Sequence, residues 1–383
     1  MPQASEKLTP SEVIHRFIDE VKETKKLVRI VTSYDLESLT ASAMLGKMLK
    51  HLEIPFEVLP DYERIPLTPD AKVIGINIPA SECDECLILQ TSTTESVSKV
   101  RYNVVLRYTS LLPGVLDLIS EFTPVSKEMK ALVLASILSK YLPRVKAPAL
   151  NERDRNFLEV LSNDGVVEIS KNLTLIGVSY LPPQTALLYS LDLFIPSKYL
   201  SENIENALSK VSKDFNIPSD KLREEVYLTK FDFFSKDIHM VTYMLLWLTD
   251  VKGFHGLLTS LFNNALLRYE YMRFLSDIKY LRDVVDLIIN SRGQTIKNVK
   301  NIPVVNVEPT KASSNVLYRI LSALNIINQN KGFLAFESFG KYYVPLSALN
   351  TSKRQSLIQK GAAVVGGYLE LSDLSEVSSK SST

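Results

Sequence analysis

Over its first 90 residues the chain switches hydrophobic period again and again. A helical amphipathic pattern covers about residues 11–26, an apolar run LVRIVTS follows, and a second helical pattern covers about residues 38–52. PFEVLP, AKVIGINI and CLILQTS then supply further apolar runs of strand length. Strands separated by such helices are βαβ units, whose stable solution is a parallel sheet covered on both faces. Side chains that do chemistry in these sheets sit at the carboxyl ends of the strands.

Beyond that frame, YNVVLRY reads as another strand, and residues 112–122 and 126–142 read as two helices. VVEISKNLTLIGV is a short ordered stretch ahead of a helix at about 183–191, and the run 201–289, which holds the single Trp247, is almost wholly helical in pattern. SRGQTIKNVKNIP, residues 291–303, is polar and basic with Gly and Pro, the composition of a boundary. A strand VVNVEP, a helix, strands GFLAFES and KYYVPL, a short helix and a final Gly-rich strand KGAAVVGGYLEL complete the chain. The expected class is α/β: a parallel-sheet domain over residues 1–200, a helical connector over 201–295, a small α/β domain over 296–375 and a disordered tail over 376–383.

Charge narrows the function classes. Lys plus Arg number 44 against 43 Asp plus Glu, so no strongly basic coat exists and nucleic-acid contact would have to be local. Arg292, Lys297 and Lys300 give the boundary a modest basic character that is equally that of a solvated linker. Cys83 and Cys86, the two cysteines, cannot form a disulfide scaffold or a four-cysteine metal knuckle, which suits a reducing cytoplasm. His15, His51, His239 and His255 are scattered without metal-ligand spacing. No apolar stretch approaches the roughly 20 residues of a membrane span, so a soluble protein without membrane contact is expected. The aromatic stretches at 227–237 and 266–274 suit either core or a partner-facing surface.

The strand ends carry a resemblance. SYDLES follows the first strand, Asn77 follows AKVIGI, Gln90, Thr91 and Ser92 close LILQTS, Lys140 lies in ILSKYLP, and KGAAVVGGY lies near the C-terminus. This order resembles the DHH phosphoesterase superfamily, especially its RecJ-like branch, with a small C-terminal domain of the DHHA1 type. In such a phosphoesterase, aspartates and histidines hold two divalent ions about 3.5–4 Å apart that activate a water on a phosphodiester. The resemblance puts Ser33 where the family has a metal histidine, keeps Asp35, replaces the next aspartate by Glu37, and puts Asn77, Gln90, Thr91, Ser92 and Lys140 at the other metal-site positions. Ala362 stands in place of the histidine of the terminal Gly-Gly-His loop.

Two carboxylates two residues apart cannot assemble a binuclear centre, so these positions read as vestigial, with no catalytic residue, metal or cofactor expected. Asp35 and Glu37 serve equally well as helix caps. The resemblance implies an inactivated RecJ-like protein of the archaeal kind: a scaffold at the replication fork that binds the GINS complex and, through it, the MCM helicase. It also makes Lys341, Lys360, Gly361, Gly366 and Gly367 the candidates for contacting single-stranded DNA. The alternative is a weakly active Mn²⁺-dependent single-strand nuclease or small-nucleotide phosphodiesterase.

Overall fold

The computed structural model describes residues 9–63, 71–79, 85–100, 103–327 and 332–378. The first unit runs α1 (Pro10–Thr24), β1 (Leu27–Thr32), α2 (Leu36–His51), β2 (Phe56–Pro60), β3 (Ala71–Ile76), β4 (Leu87–Thr91), β5 (Ser96–Val100) and β6 (Asn103–Tyr108). Thr9 and Glu12 cap α1 reciprocally with Pro10 in its first turn, which fixes where that helix starts. The six strands form one sheet in the order β2-β1-β3-β4-β6-β5. All neighbours are parallel except β5 and β6, which are antiparallel. Val28, Ile30, Val31 and Thr32 of β1 are all buried, as a parallel strand covered on both faces requires.

Helices α3 (Leu111–Ser120), α4 (Lys127–Leu138) and α5 (Glu152–Asn163) follow. Next come β7 (Val167–Leu173), α6 (Pro183–Tyr189), α7 (Ile204–Phe215) and β8 (Arg223–Thr229). β7 and β8 pair antiparallel as a two-stranded ribbon, so a boundary at residue 200 falls between paired strands. Helices α8 (Ile238–Val251), α9 (Gly253–Phe262) and α10 (Asn264–Asn290) lead into the C-terminal unit. There, β9 (Lys297–Val299), β10 (Ile302–Asn306), α11 (Ser314–Ala323), β11 (Ala335–Ser338) and β12 (Lys341–Pro345) precede α12 (Thr351–Gln359), β13 (Ala363–Val365) and β14 (Tyr368–Leu371). Its sheet runs β13-β14-β12-β11-β10-β9, with only β10 and β11 parallel.

The molecule is α/β, as the period switching requires. Three local expectations are corrected. The run 201–289 is broken by β8, REEVYLT, which is held as a strand by pairing with β7. An antiparallel edge strand, β5, was hidden by its polar sequence SVSKV. The final Gly-rich strand is a hairpin, β13–β14, turning at Gly366 and Gly367. Of the tail placed at 376–383, residues 376–378 belong to a short helical turn and the rest lie outside the described residues.

Helix α8 is the spine. Met240, Val241, Tyr243, Leu245, Trp247 and Leu248 are buried, and the helix packs on α2, α4, α9, α10 and α11. One hydrophobic cluster therefore runs from α1 through α8 to β14. This packing fixes how the C-terminal unit sits over the strand ends of the first sheet.

Candidate functional site

A polar residue directly follows each of β1, β2 and β3 (Ser33, Asp61 and Asn77), β4 ends on Thr91, and the parallel register brings those ends together. The Ser33 amide, one residue past β1, donates to the Ile76 carbonyl at 3.0 Å, and the Asn77 amide donates to the Leu89 carbonyl at 2.8 Å. Asn77 has φ of 49°, a left-handed conformation that Asn tolerates. Its Oδ1 accepts from the Thr91 amide at 2.8 Å, and its Nδ2 donates to Ser38 Oγ at 2.9 Å. Asp35 is the N-cap of α2, accepting from the Ser38 amide at 2.9 Å and from Ser38 Oγ at 2.7 Å. Its carboxylate is thus held at the positive end of a 16-residue helix, the role carboxylates commonly take there.

Glu37, in the first turn of α2, is only 8% exposed. Lys140, just past α4, places Nζ 2.5 Å from Glu37 Oε2, while Oε1 has no hydrogen-bond partner among the described residues. Burial pushes the Glu37 carboxyl above its usual range, and the Lys140 ammonium opposes that shift.

A second cation arrives from the C-terminal unit. Arg354 on α12 is 2% exposed and pairs with Asp61, which is 1% exposed and lies just past β2. The same guanidinium nitrogen reaches Ser33 Oγ at 3.2 Å, and Nη1 donates to the carbonyls of Leu346 and Leu349. Thr351 Oγ1 also donates to Asp61, and Gln355 Nε2 donates to the Asp61 carbonyl at 2.7 Å. The Asp61 amide in turn donates to the Thr32 carbonyl at 2.9 Å, which ties the group to the end of β1. Burial raises the Asp61 carboxyl pKa, with Arg354 opposing.

The structure therefore brings Ser33, Asp35, Glu37, Asn77, Thr91 and Lys140 to one strand-end region. Gln90 turns elsewhere, donating to the Ile78 carbonyl at 2.8 Å, and the Ser92 amide is used by the Tyr108 carbonyl. The C-terminal candidates lie in other elements. Gly367 gives its amide to the Asp250 carbonyl at 2.7 Å, and a Cβ there would lie 2.1 Å from the Thr249 carbonyl oxygen. A Cβ on Gly366 would lie 2.8 Å from the Val251 carbonyl oxygen. These glycines let the hairpin approach the end of α8. Gly361 has open space around its Cα, exposed Lys360 pairs with Glu376 at 3.1 Å, and Lys341 is exposed at the start of β12.

Other sequence candidates have ordinary partners. His15 meets Glu121 at 2.9 Å, and buried His239 stacks on Tyr227 with centroids 5.2 Å apart. Lys297 pairs with Glu337 at 2.9 Å, and Phe234 packs on Tyr271 at 5.1 Å. Cys86 is buried, and Cys83 lies outside the described residues. Two site residues escaped sequence reading. Asp61 carried a signal, a carboxylate directly after an apolar strand, whereas Arg354 carried none because its partner is 293 residues away in sequence.

These residues do not fit a divalent ion. Among the described residues no three His, Cys, Asp or Glu side chains converge. The two buried carboxylates, Glu37 and Asp61, each face a protein cation, and Asn77 and Ser33 offer only neutral oxygens to other protein groups. Hard cations require several oxygen ligands with carboxylates among them.

CDC45 from Entamoeba histolytica superposes with a TM-score of 0.60 at 12% identity, over 94% of this chain and 95% of that one. The chain has the CDC45 fold. RecJ from Thermus thermophilus in complex with Mn²⁺ aligns at a TM-score of 0.44 and 12% identity, over 97% of this chain and 53% of RecJ. No family model and no curated protein sequence matches the chain. Among the described residues no helix is long and apolar enough to cross a membrane.

Proposed function

We propose that this protein is a non-catalytic scaffold subunit of a replicative helicase assembly of the archaeal kind, binding GINS and through it supporting the MCM helicase at the fork. The observation that carries the reading is the pair of protein cations, Lys140 on Glu37 and Arg354 on Asp61, at strand ends where a phosphoesterase would need metal ligands. A fold shared with CDC45 over nearly the full length of both chains supports the same reading. Contact with single-stranded DNA is assigned to the exposed positions Lys341, Lys360 and Gly361. The weak-nuclease alternative would require the two cations to leave before any metal could enter.

The test is affinity capture of the tagged full chain from nuclease-treated lysate of its source organism, with mass spectrometry of the bound proteins. Stoichiometric GINS subunits, with or without MCM, support the proposal. Recovery of neither refutes it.

A further inference from the structure

Far along α2 from Glu37, a lysine stands among methionines. Met44, Lys47 and Met48 share one face of that helix by their spacing, and the face meets the end of α3, the 121–126 connection and the start of α4. Between these pieces lies a cavity of about 160 Å³. Met44, Met48, Ile119, Val125 and Met129 give it apolar walls, and Lys47 is the one charged residue on its lining among the described residues. Pockets that hold whole organic ligands run to roughly 300–1,000 Å³, so this one suits a group of a few heavy atoms.

Lys47 is half-buried and makes no hydrogen bond or ion pair among the described residues. Thioethers are poor compensation, being weak acceptors. Burial holds the Lys47 pKa below its usual value, and Glu128 in the first turn of α4 is the charge that opposes this. An amine in apolar surroundings is more often the free base, which is its nucleophilic form. The cavity also lies at the positive end of α4. Ser126 caps that helix, its Oγ accepting from the Met129 amide at 3.2 Å, and both residues line the cavity. Such an end disfavours an ammonium and favours an oxygen that carries negative charge.

These surroundings choose among the modifications an amine can undergo. Methylation keeps the positive charge, whereas acylation removes it and adds a carbonyl oxygen with an alkyl end. We propose that Lys47 is an acylation site that takes a short acyl group, such as acetyl, directly from an acyl thioester or an acyl phosphate. The free-base Nζ attacks the carbonyl carbon and forms the N–C bond. The bond from that carbon to sulfur, or to the phosphate oxygen, breaks, the leaving group departs with its electron pair, and the proton on nitrogen passes to water. The product is a neutral amide whose alkyl end suits the methionine walls. The site is independent of the scaffold reading.

The test is incubation of the full-length protein with acetyl coenzyme A or, separately, acetyl phosphate across neutral to alkaline pH, with acetylated peptides quantified by mass spectrometry. Lys50, exposed on the same helix, is the internal reference. Lys47 should acylate about fivefold or more faster than Lys50 at neutral pH, with the ratio shrinking as pH rises and Lys50 also loses its proton. Whichever reagent acts names the acyl donor. Val125→Asp sets a carboxylate beside the amine and should bring Lys47 down toward the rate of Lys50, whereas Glu128→Gln removes the opposing charge and should raise it. Should Val125→Asp fail to fold, Glu128→Gln still decides. Lys47 no faster than Lys50 with either reagent, or a rate that these substitutions leave unmoved, overturns the proposal.

Discussion

Glu37 is a buried acid with one cationic neighbour. Its burial favours the neutral form, and the ammonium of Lys140 at 2.5 Å works against that. Lys140→Met should cost about 1–3 kcal/mol near neutral pH in urea unfolding, the scale of stranding a buried charged group. The sign with pH is fixed, because a carboxyl whose folded pKa is raised is a burden above that pKa. The Lys140→Met penalty should therefore shrink as pH falls through the folded value toward the ordinary 4.5. Asp250 gives a second residue-scale test. Fully buried and held by Ser313 and Asn315, its pKa is pushed up to about 6 by burial. Its contribution to stability should fall as pH rises from 3.8 to about 6, and Asp250→Asn should remove that component from a plot of melting temperature against pH. Asp35, Glu37 and Asn77 were legible in sequence because each closely follows an apolar strand. Their roles were less legible, since a cap and a metal ligand use the same carboxylate.

At the scale of elements, α12 is the piece that closes the strand ends. Arg354 joins it to Asp61 and Ser33 across nearly the whole chain, and the Arg354–Asp61 pair is buried. Arg354→Met leaves Asp61 as an uncompensated buried charge, for which a loss of about 3–5 kcal/mol is expected. Adding Asp61→Leu should restore part of it, and chemical denaturation of the three variants reads both effects. The hairpin turn makes a different contact. At Gly367 an alanine Cβ would fall 2.1 Å from a backbone oxygen of α8, so Gly367→Ala must displace the hairpin and should cost about 1–3 kcal/mol. Long apolar elements such as β1 and α8 announce themselves by period. β5 and β8 did not, since SVSKV and REEVYLT owe their strand state to partners, β6 and β7, that a local reading cannot see.

For the whole molecule, one large core and one spine helix join the two six-stranded sheets, with a smaller cluster around Val31 and Ile88 on the first. The helical block that reads as a connector in sequence is its centre, because apolar residues on every side of α8 require neighbours on every side. This predicts coupled behaviour: Arg354→Met should speed tryptic cleavage in the polar 291–301 segment relative to the wild type. Equal rates would mean that α12 does not help to hold the C-terminal unit in place.

In the proposed reading, Lys140 and Arg354 hold the strand-end carboxylates Glu37 and Asp61 in place of divalent ions. Titration of the full-length protein with Mn²⁺, followed by electron paramagnetic resonance, tests it directly, with a labelled single strand present to report hydrolysis. A free-ion signal undiminished by protein and an intact strand are the expected results. Stoichiometric Mn²⁺ binding, or hydrolysis abolished by Asp35→Ala with Glu37→Ala, would contradict the claim.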